Sequence, residues 1–183
     1  MTETAADSDL VKLFLTGNHA AFNELVSRYQ TKIYWHARKM TGNHLDADDI
    51  MQEVLLVIYE KLHTFQFNSS LYTWIYKITA TRSLNHIRKV KLRKFFSLDG
   101  ENTINMANEE NVALDYERGE QMQKLDKVMQ NLPNRQREVF ILRNFELLSY
   151  EEISKITGKS TGSLKASYFH ALGKVTNWMK ENG

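Results

Sequence analysis

The chain has 183 residues, room for one domain or two small ones, and its 42% hydrophobic and 25% charged residues give a globular rather than a disordered composition. It has no cysteine, which excludes disulfides and thiolate metal sites and fits a reducing, cytoplasmic compartment. The longest apolar run, Val54 to Tyr59, is too short to span a bilayer, and the polar opening MTETAADSD has no signal-peptide core, so no membrane insertion is expected.

The net charge of +2 is a sum of opposed blocks. Asp46 to Glu60 is acidic, Arg82 to Lys94 basic, Asp99 to Glu120 mostly acidic, and Lys155 to Lys180 basic without an acid. Two separate basic surfaces follow, with acidic segments left for other contacts. A single proline, Pro133, few glycines and little strand-type alternation predict an all-α fold.

In chain order, Asp9 to Leu15 reads as a short helix stopped by Gly17. Phe22, Leu25, Val26, Tyr29, Ile33, Ala37 and Met40 then mark an amphipathic core helix ended by Gly42. The next helix takes Asp46 as its N-cap, with Asp48 and Asp49 in a first turn where the dipole favours negative charge. Ile50, Val54, Val57, Ile58 and Leu62 form one apolar stripe, and Met51, Leu55 and Tyr59 a second, so most of the circumference is expected to be buried. The face left over, Asp49, Gln52, Glu53, Leu56 and Glu60, is a narrow acidic strip suited to a basic partner, or simply solvated.

After the polar break Phe65 to Ser70 comes LYTWIYKITATRSLNHIRKVKLRK, Leu71 to Lys94, which begins aromatic, ends basic and contains no acid. Lysine and arginine release counterions when docked on phosphates, and aromatic rings stack on unpaired bases. The stretch therefore reads either as a surface for opened nucleic acid or as a core helix with a solvated basic end. Its stripe of Leu71, Trp74, Ile75 and Ile78 does not continue into Leu84 and Ile87. Either the helix bends or breaks near Thr79 to Ser83, or its two ends bury different faces.

Two small helical domains are predicted, residues 1–95 and 113–183, joined by a flexible linker over 96–112 where Gly100 and several Asn and Glu interrupt the pattern. Periodicity resumes at Leu114, Leu125, Val128, Met129 and Leu132, and Pro133 suits a first helical turn. Ser149 and Glu152 make a capping box, Gly158 ends a two-turn helix, and Ser160 or Thr161 caps the next, with Leu164, Tyr168, Ala171, Leu172, Val175 and Met179 as its apolar face. Short helix, glycine turn and second helix form a helix-turn-helix, whose second helix enters a major groove. Thr161, Ser163, Lys165 and Ser167 lie on its leading turns, with His170 and Lys174 further along.

Taken together, AFNELVSRYQTKIY, DADDIMQEV, TWIYKITATRSLNHIRK, LPNRQREVFILRNFELLSYEEI and GSLK resemble, in order and spacing, the extracytoplasmic-function group of bacterial RNA polymerase sigma factors. The resemblance implies a first domain that grips core polymerase through Asp46, Asp49, Gln52, Glu53 and Leu56. It also implies that this domain melts and reads the minus-ten promoter element with the segment from Phe65 to Lys94. The residues concerned would be Phe65, Phe67, Asn68, Ser69, Trp74, Lys77, Arg82, Asn85, Arg88, Lys89 and Arg93, with an expelled base held near the Phe65 to Ser70 loop. The second domain would read the minus-thirty-five element, in duplex form, with Ser160, Thr161, Ser163, Lys165, Ser167, Tyr168, His170 and Lys174. An anti-sigma partner is common in the family.

The chain departs from the family pattern at four positions: Thr81 and Asn85 stand where asparagine and aspartate are usual, and Ser167 and His170 where arginines are common. The second pair removes two bidentate forks. A free-standing helix-turn-helix regulator would leave the first domain without a role. For an enzyme, His44, Asp46, Asp48, Asp49, His63 and His86 are the metal-capable residues, but no i, i+4 histidine pair, nucleophile motif or phosphate-binding glycine loop accompanies them. No catalytic residue, metal or cofactor is expected.

Overall fold

The computed structural model describes residues 5–97 and 120–182, which form eight α-helices and no strand. Helix α1 spans Asp7–Leu15, α2 His19–Thr41, α3 His44–Lys61 and α4 Leu71–Ser97, with a short 3-10 turn, Leu62–Thr64, after α3. The second group is α5 (Glu120–Gln130), α6 (Asn134–Asn144), α7 (Tyr150–Thr157) and α8 (Thr161–Glu181). The expected linker begins inside α4, which runs through 96 and 97; the rest of it, like Leu114, lies outside the described residues.

Helices α1 to α3 and the start of α4 enclose one apolar cluster, including Val11, Leu25, Ile33, Ile50, Val54 and Ile75. Of the periodic residues of α2, Phe22, Leu25, Tyr29, Ile33 and Ala37 face it, while Met40 packs on second-domain residues, and Gly42 ends that helix at φ 75°, a left-handed conformation that costs glycine nothing. Asp7 ties α1 to α2 by accepting from the Tyr29 hydroxyl and from Arg28 Nη1, the latter at 3.0 Å. Helix α3 starts earlier than the sequence suggested. Asn43, not Asp46, is its cap, and Asn43 Oδ1 accepts from Asp46 N at 2.9 Å. Asp46 sits in the first turn, where its carboxylate still meets the positive end of the helix. Burial of α3 is also narrower than expected: Ala47, Ile50, Val54 and Ile58 are buried, Met51 and Leu55 only half-buried, and Tyr59 is exposed.

Helix α4 is unbroken over 27 residues, about 40 Å at 1.5 Å per residue. The expected change near Thr79 to Ser83 is therefore one of face and not of backbone. Leu71 and Ile75 belong to the first cluster, Tyr76 and Ala80 to a second with Val139, Leu142, Ile153 and Leu164, and Leu84 and Ile87 pack on a third with Met40, Met129, Ile141 and Val175. The small side chains of Thr79 and Ser83 are fully buried, and Thr79 Oγ1 donates to Ile75 O at 3.0 Å.

In the second domain the capping box is formed: Glu152 N donates to Ser149 Oγ at 3.2 Å and Ser149 N to Glu152 Oε2 at 2.8 Å. Pro133 stands just outside α6 as its N-cap, with extended ψ of 141°, rather than in the first turn. On α8, Leu164, Ala171 and Val175 are buried, but Leu172 turns outward.

Two buried titratable groups set opposite pH limits. His36 on α2 is fully buried, neither ring nitrogen has a hydrogen-bond partner, and desolvation together with the nearby Lys39 charge pushes its pKa down to about 3. The folded chain holds it neutral, so this contribution to stability is lost as pH falls below the ordinary value near 6.5. Glu138 on α6 is pushed up to about 7 by burial, against the opposing charges of Arg135 and Lys159. Its contribution is present below the ordinary 4.5 and is lost as pH rises through about 7. Glu138→Gln is accordingly expected to stabilise the chain at pH 8 by up to about 3 kcal/mol and to have little effect at pH 4.5, as read by urea denaturation at the two pH values.

Candidate nucleic-acid and protein interfaces

On α3, the strip predicted from sequence is present as a surface: Asp49, Gln52, Glu53, Leu56 and Glu60 are all solvent-accessible, Leu56 to 62%. Sequence reasoning missed Tyr59, one residue from the strip, whose ring packs on Phe14 and Phe22 at centroid distances of 5.4 and 5.0 Å. Its outer edge and Leu56 give the acidic strip an apolar centre. Two carboxylates of α3 face basic side chains of α4. Glu53 Oε2 lies 3.7 Å from Arg82 Nη1 in an exposed pair. Asp46 Oδ1 lies 3.0 Å from His86 Nε2, in contact but without a hydrogen bond. His44 meets Asp48 at 3.3 Å and the Tyr34 hydroxyl at 2.8 Å. Among the described residues, no three His, Cys, Asp or Glu side chains gather as a metal site would need.

The loop before α4 separates its aromatic residues by role. Phe65 is buried and packs against Phe67 at 4.8 Å and Trp74 at 5.7 Å, and Trp74 is half-buried on the first cluster. Both are walls of the core first. Phe67 differs: its ring is 45% exposed and its backbone takes φ 57°, a region that a bulky residue rarely enters. Ser70 closes the loop by accepting from Thr73 N at 3.1 Å, and Asn68 Nδ2 reaches Gln66 Oε1 at 3.3 Å.

Along α4 a ridge of accessible residues, Lys77, Thr81, Asn85, Arg88, Lys89, Leu92 and Arg93, follows the helical repeat away from both cores. Asn85, Arg88, Lys89, Leu92, Arg93 and Phe96 line a shallow groove with an apolar floor. Arg82 lies half-buried beside this ridge, turned toward Glu53. The exposed rings of Phe95 and Phe96, 72% and 73% exposed, extend the basic end and could not be found by periodicity, since they lie on no core stripe.

The turn of the helix-turn-helix is fastened at Gly158, φ 70°, and by Ser154 Oγ donating to Lys159 O at 2.6 Å. Ser160 caps α8 by accepting from Ser163 N at 3.3 Å, which fixes that residue's role as structural before any other. Ser163, Lys165, His170 and Lys174 are exposed, and Thr161 and Ser167 half-buried. Lys165 Nζ rests 5.7 Å from the Tyr150 ring centroid, and Lys174 Nζ donates to Gln136 Oε1 at 3.1 Å. Tyr168 is turned inward: it stacks on Phe140, meets the edge of Tyr150, and its hydroxyl donates to Asn144 Oδ1 at 3.1 Å. Phe169, 74% exposed one position further on, is the ring that points outward instead.

None of the described helices is long and apolar enough to cross a membrane. The family model described as Sigma-70 region 2 matches residues 25–93, and Sigma-70, region 4 matches residues 122–175. Among curated proteins, the chain is 29% identical over 187 aligned positions to the ECF RNA polymerase sigma-E factor of Escherichia coli (strain K12), covering 97% of this chain and 96% of that one. It is 28% identical to the sigma-E factor of Haemophilus influenzae, with 97% of each chain covered. Among solved structures it is similar to the sigma factor RpoE of Bartonella quintana, crystallised with the anti-sigma factor NepR. There the TM-score is 0.71 at 22% identity, over 87% of this chain and 96% of that one. It is also similar to CnrH in complex with the cytosolic domain of CnrY, at a TM-score of 0.74 and 18% identity, over 98% and 100% of the two chains. The two structural likenesses speak for the fold.

Proposed function

Because the chain belongs to the extracytoplasmic-function group of bacterial RNA polymerase sigma factors, we propose that its three exposed surfaces divide the work of promoter-specific initiation. As a sigma factor it binds core RNA polymerase and directs it to promoters, with the first domain melting and reading the minus-ten element and the second reading the minus-thirty-five element. Sigma factors act without catalysis of their own. On our reading the domains are 1–95 and 113–183, and the chain works in the cytoplasm.

The α3 strip of Asp49, Gln52, Glu53 and Leu56 docks on a basic polymerase surface, with Asp46 at its edge. Tyr59 adds apolar area where such an interface concentrates its energy. The α4 ridge holds the backbone near the melted element through Lys77, Arg88, Lys89 and Arg93, and Arg82 joins them. Phe67, with Asn68 and Ser69, receives an unstacked base, while Phe65 and Trp74 support the loop from beneath. Docking of α8 in a major groove brings Thr161, Ser163, Lys165, Ser167 and His170 to base edges or phosphates, with Lys174 further along. Ser160 contributes its cap and Tyr168 its packing. The observation that carries this reading is that acidic strip, basic ridge and recognition helix are separate exposed surfaces on one helical scaffold. A free-standing DNA-binding regulator would have no use for the first of them. The similar sigma factor RpoE, crystallised with the anti-sigma factor NepR, supports an inhibitor of the same kind as a partner here.

Run-off transcription with purified core enzyme tests the function: initiation from promoters recovered by cross-linking this chain in its own cell is expected only when the chain is added. No core binding at moderate salt would sink the reading. Within it, Lys165→Ala is expected to weaken duplex binding evenly across sequences and to lower the salt slope by about one unit if Lys165 meets phosphate. Selective relaxation at one base position would make Lys165 a sequence reader instead.

A further inference from the structure

Arg137 is a buried charge that no acid neutralises. The residue is 6% exposed, and its fork is held by neutral oxygens alone. Nη1 donates to Met40 O and to Gln130 Oε1 at 2.7 Å, and Nη2 to Gln130 O at 2.5 Å and Leu132 O at 3.2 Å. Among the described residues, no carboxylate pairs with the guanidinium. The acids of its own domain are engaged elsewhere. Glu146 Oε2 accepts from the Tyr76 hydroxyl at 2.7 Å and the Tyr72 hydroxyl at 3.2 Å, and Glu138 feels the charges of Arg135 and Lys159. A cation taken out of water is normally paired, because it has lost its hydration. Arg137 Nε is buried without any hydrogen-bond partner at all.

This unpaired charge borders a cavity of about 420 Å³. Lys91 of α4 lines the same cavity and is exposed, so the space is open to solvent on that side. Pro133 and Asn134 line it too, which brings the start of α6 to its wall. The first amides of a helix have no partner within it, and no side chain caps those of α6. Its dipole therefore adds to the positive field there. The acid in the lining is Asp46, which lies against His86 at 3.0 Å. Ile87 and Val90 supply an apolar wall.

We infer that this cavity binds a small organic phosphate, its phosphate held between Lys91, Arg137 and the first turn of α6 and its organic part laid on Ile87 and Val90. An ammonium, a guanidinium and helix amides together offer more donors than a carboxylate's two oxygens can use, and a phosphate brings three. The volume falls within the range of about 300 to 1,000 Å³ usual for organic ligands and is far more than a bare anion fills. The site is separate from the acidic strip, the basic ridge and the recognition helix, and it stands whether or not those surfaces have the roles proposed above.

Adenosine 5′-monophosphate, inorganic phosphate and adenosine serve as probes, titrated calorimetrically into the full-length chain. The nucleotide is expected to bind with a Kd of about 10 μM, the efficiency usual for a ligand of its size, with phosphate weaker and competing and adenosine without measurable binding. At 1 mM the nucleotide should raise the thermal midpoint by about 5 to 10 °C. Lys91→Ala should weaken it about tenfold and Lys91→Glu about a hundredfold, at an exposed position where the fold is not at stake. Arg137→Lys, if its helical signal is intact, should weaken it as much as Lys91→Ala. Absence of binding by both nucleotide and phosphate at 1 mM, or binding that Lys91→Glu leaves unmoved, would overturn the site. Phosphate binding without nucleotide binding would reduce it to an adventitious ion only and overturn the organic ligand. Displacement of the nucleotide by a single-stranded oligonucleotide would place the cavity in the path of DNA and overturn the small ligand likewise.

Discussion

Asp49→Lys combined with Gln52→Lys abolishes binding to core polymerase, with a loss of at least about a hundredfold, while the helical content of the chain is unchanged. Both side chains are accessible and neither is part of a core cluster, so the cost to the fold stays within about 0.5 kcal/mol. The cost to docking is larger. Asp49, Glu53 and Glu60 give the strip three negative charges, and the double substitution cancels them. Placing two lysines against a basic partner surface costs several kcal/mol, because like charges are brought together as water is removed. Fluorescence anisotropy of the labelled chain titrated with core enzyme reads the loss directly. Asp49→Glu, which keeps the charge, serves as the control and is expected to bind within a few-fold of the wild type. Unchanged affinity in the double variant would show that polymerase grips another surface.

The second large effect is on stability. Arg137→Met is expected to cost about 3 to 5 kcal/mol, read as a lower urea midpoint with little change in slope. Methionine fills much of the volume, but leaves Met40 O, Gln130 O, Leu132 O and Gln130 Oε1 without the donors they now share. The residue is 6% exposed, and burial pulls its pKa down to about 10, so it remains charged at neutral pH. Arg137→Lys should recover little of the loss, since an ammonium lacks the planar fork that reaches several acceptors at once. A cost below about 1 kcal/mol would mean that the elbow between α5 and α6 holds itself without this hub.

How far the sequence could be read depended on whether one residue's neighbours were close in the chain. The caps of α7 and α8 were legible because Ser149, Glu152, Gly158 and Ser160 act on backbone groups within four residues of themselves. The core side of α2 was legible because Leu25, Tyr29, Ile33 and Ala37 keep one period against one cluster, and Met40 continues that period although it packs on the second domain. Helix α4 was not, because the first cluster asks it for one stripe, Leu71 and Ile75, and the second domain for another, Tyr76, Ala80, Leu84 and Ile87, and their sum along the sequence looks like neither. Gln130, Arg137 and Glu146 are polar and gave no sign that they cross between domains; a solvated arginine and a buried one are spelled alike. The aromatic residues divided in the same way. Phe65 and Tyr168 face inward and Phe67 and Phe169 outward, although each pair is only one or two residues apart, because turn geometry and helical phase decide the matter.

The apolar side of α4 has one more consequence. Tyr76, Ala80, Leu84 and Ile87 recur every three or four residues along one line and are covered by the second domain. Left uncovered, Tyr76, Leu84 and Ile87 would form a continuous apolar strip along one helix, the kind of surface that makes a protein sticky. Packing of the second domain along α4 keeps that strip from water.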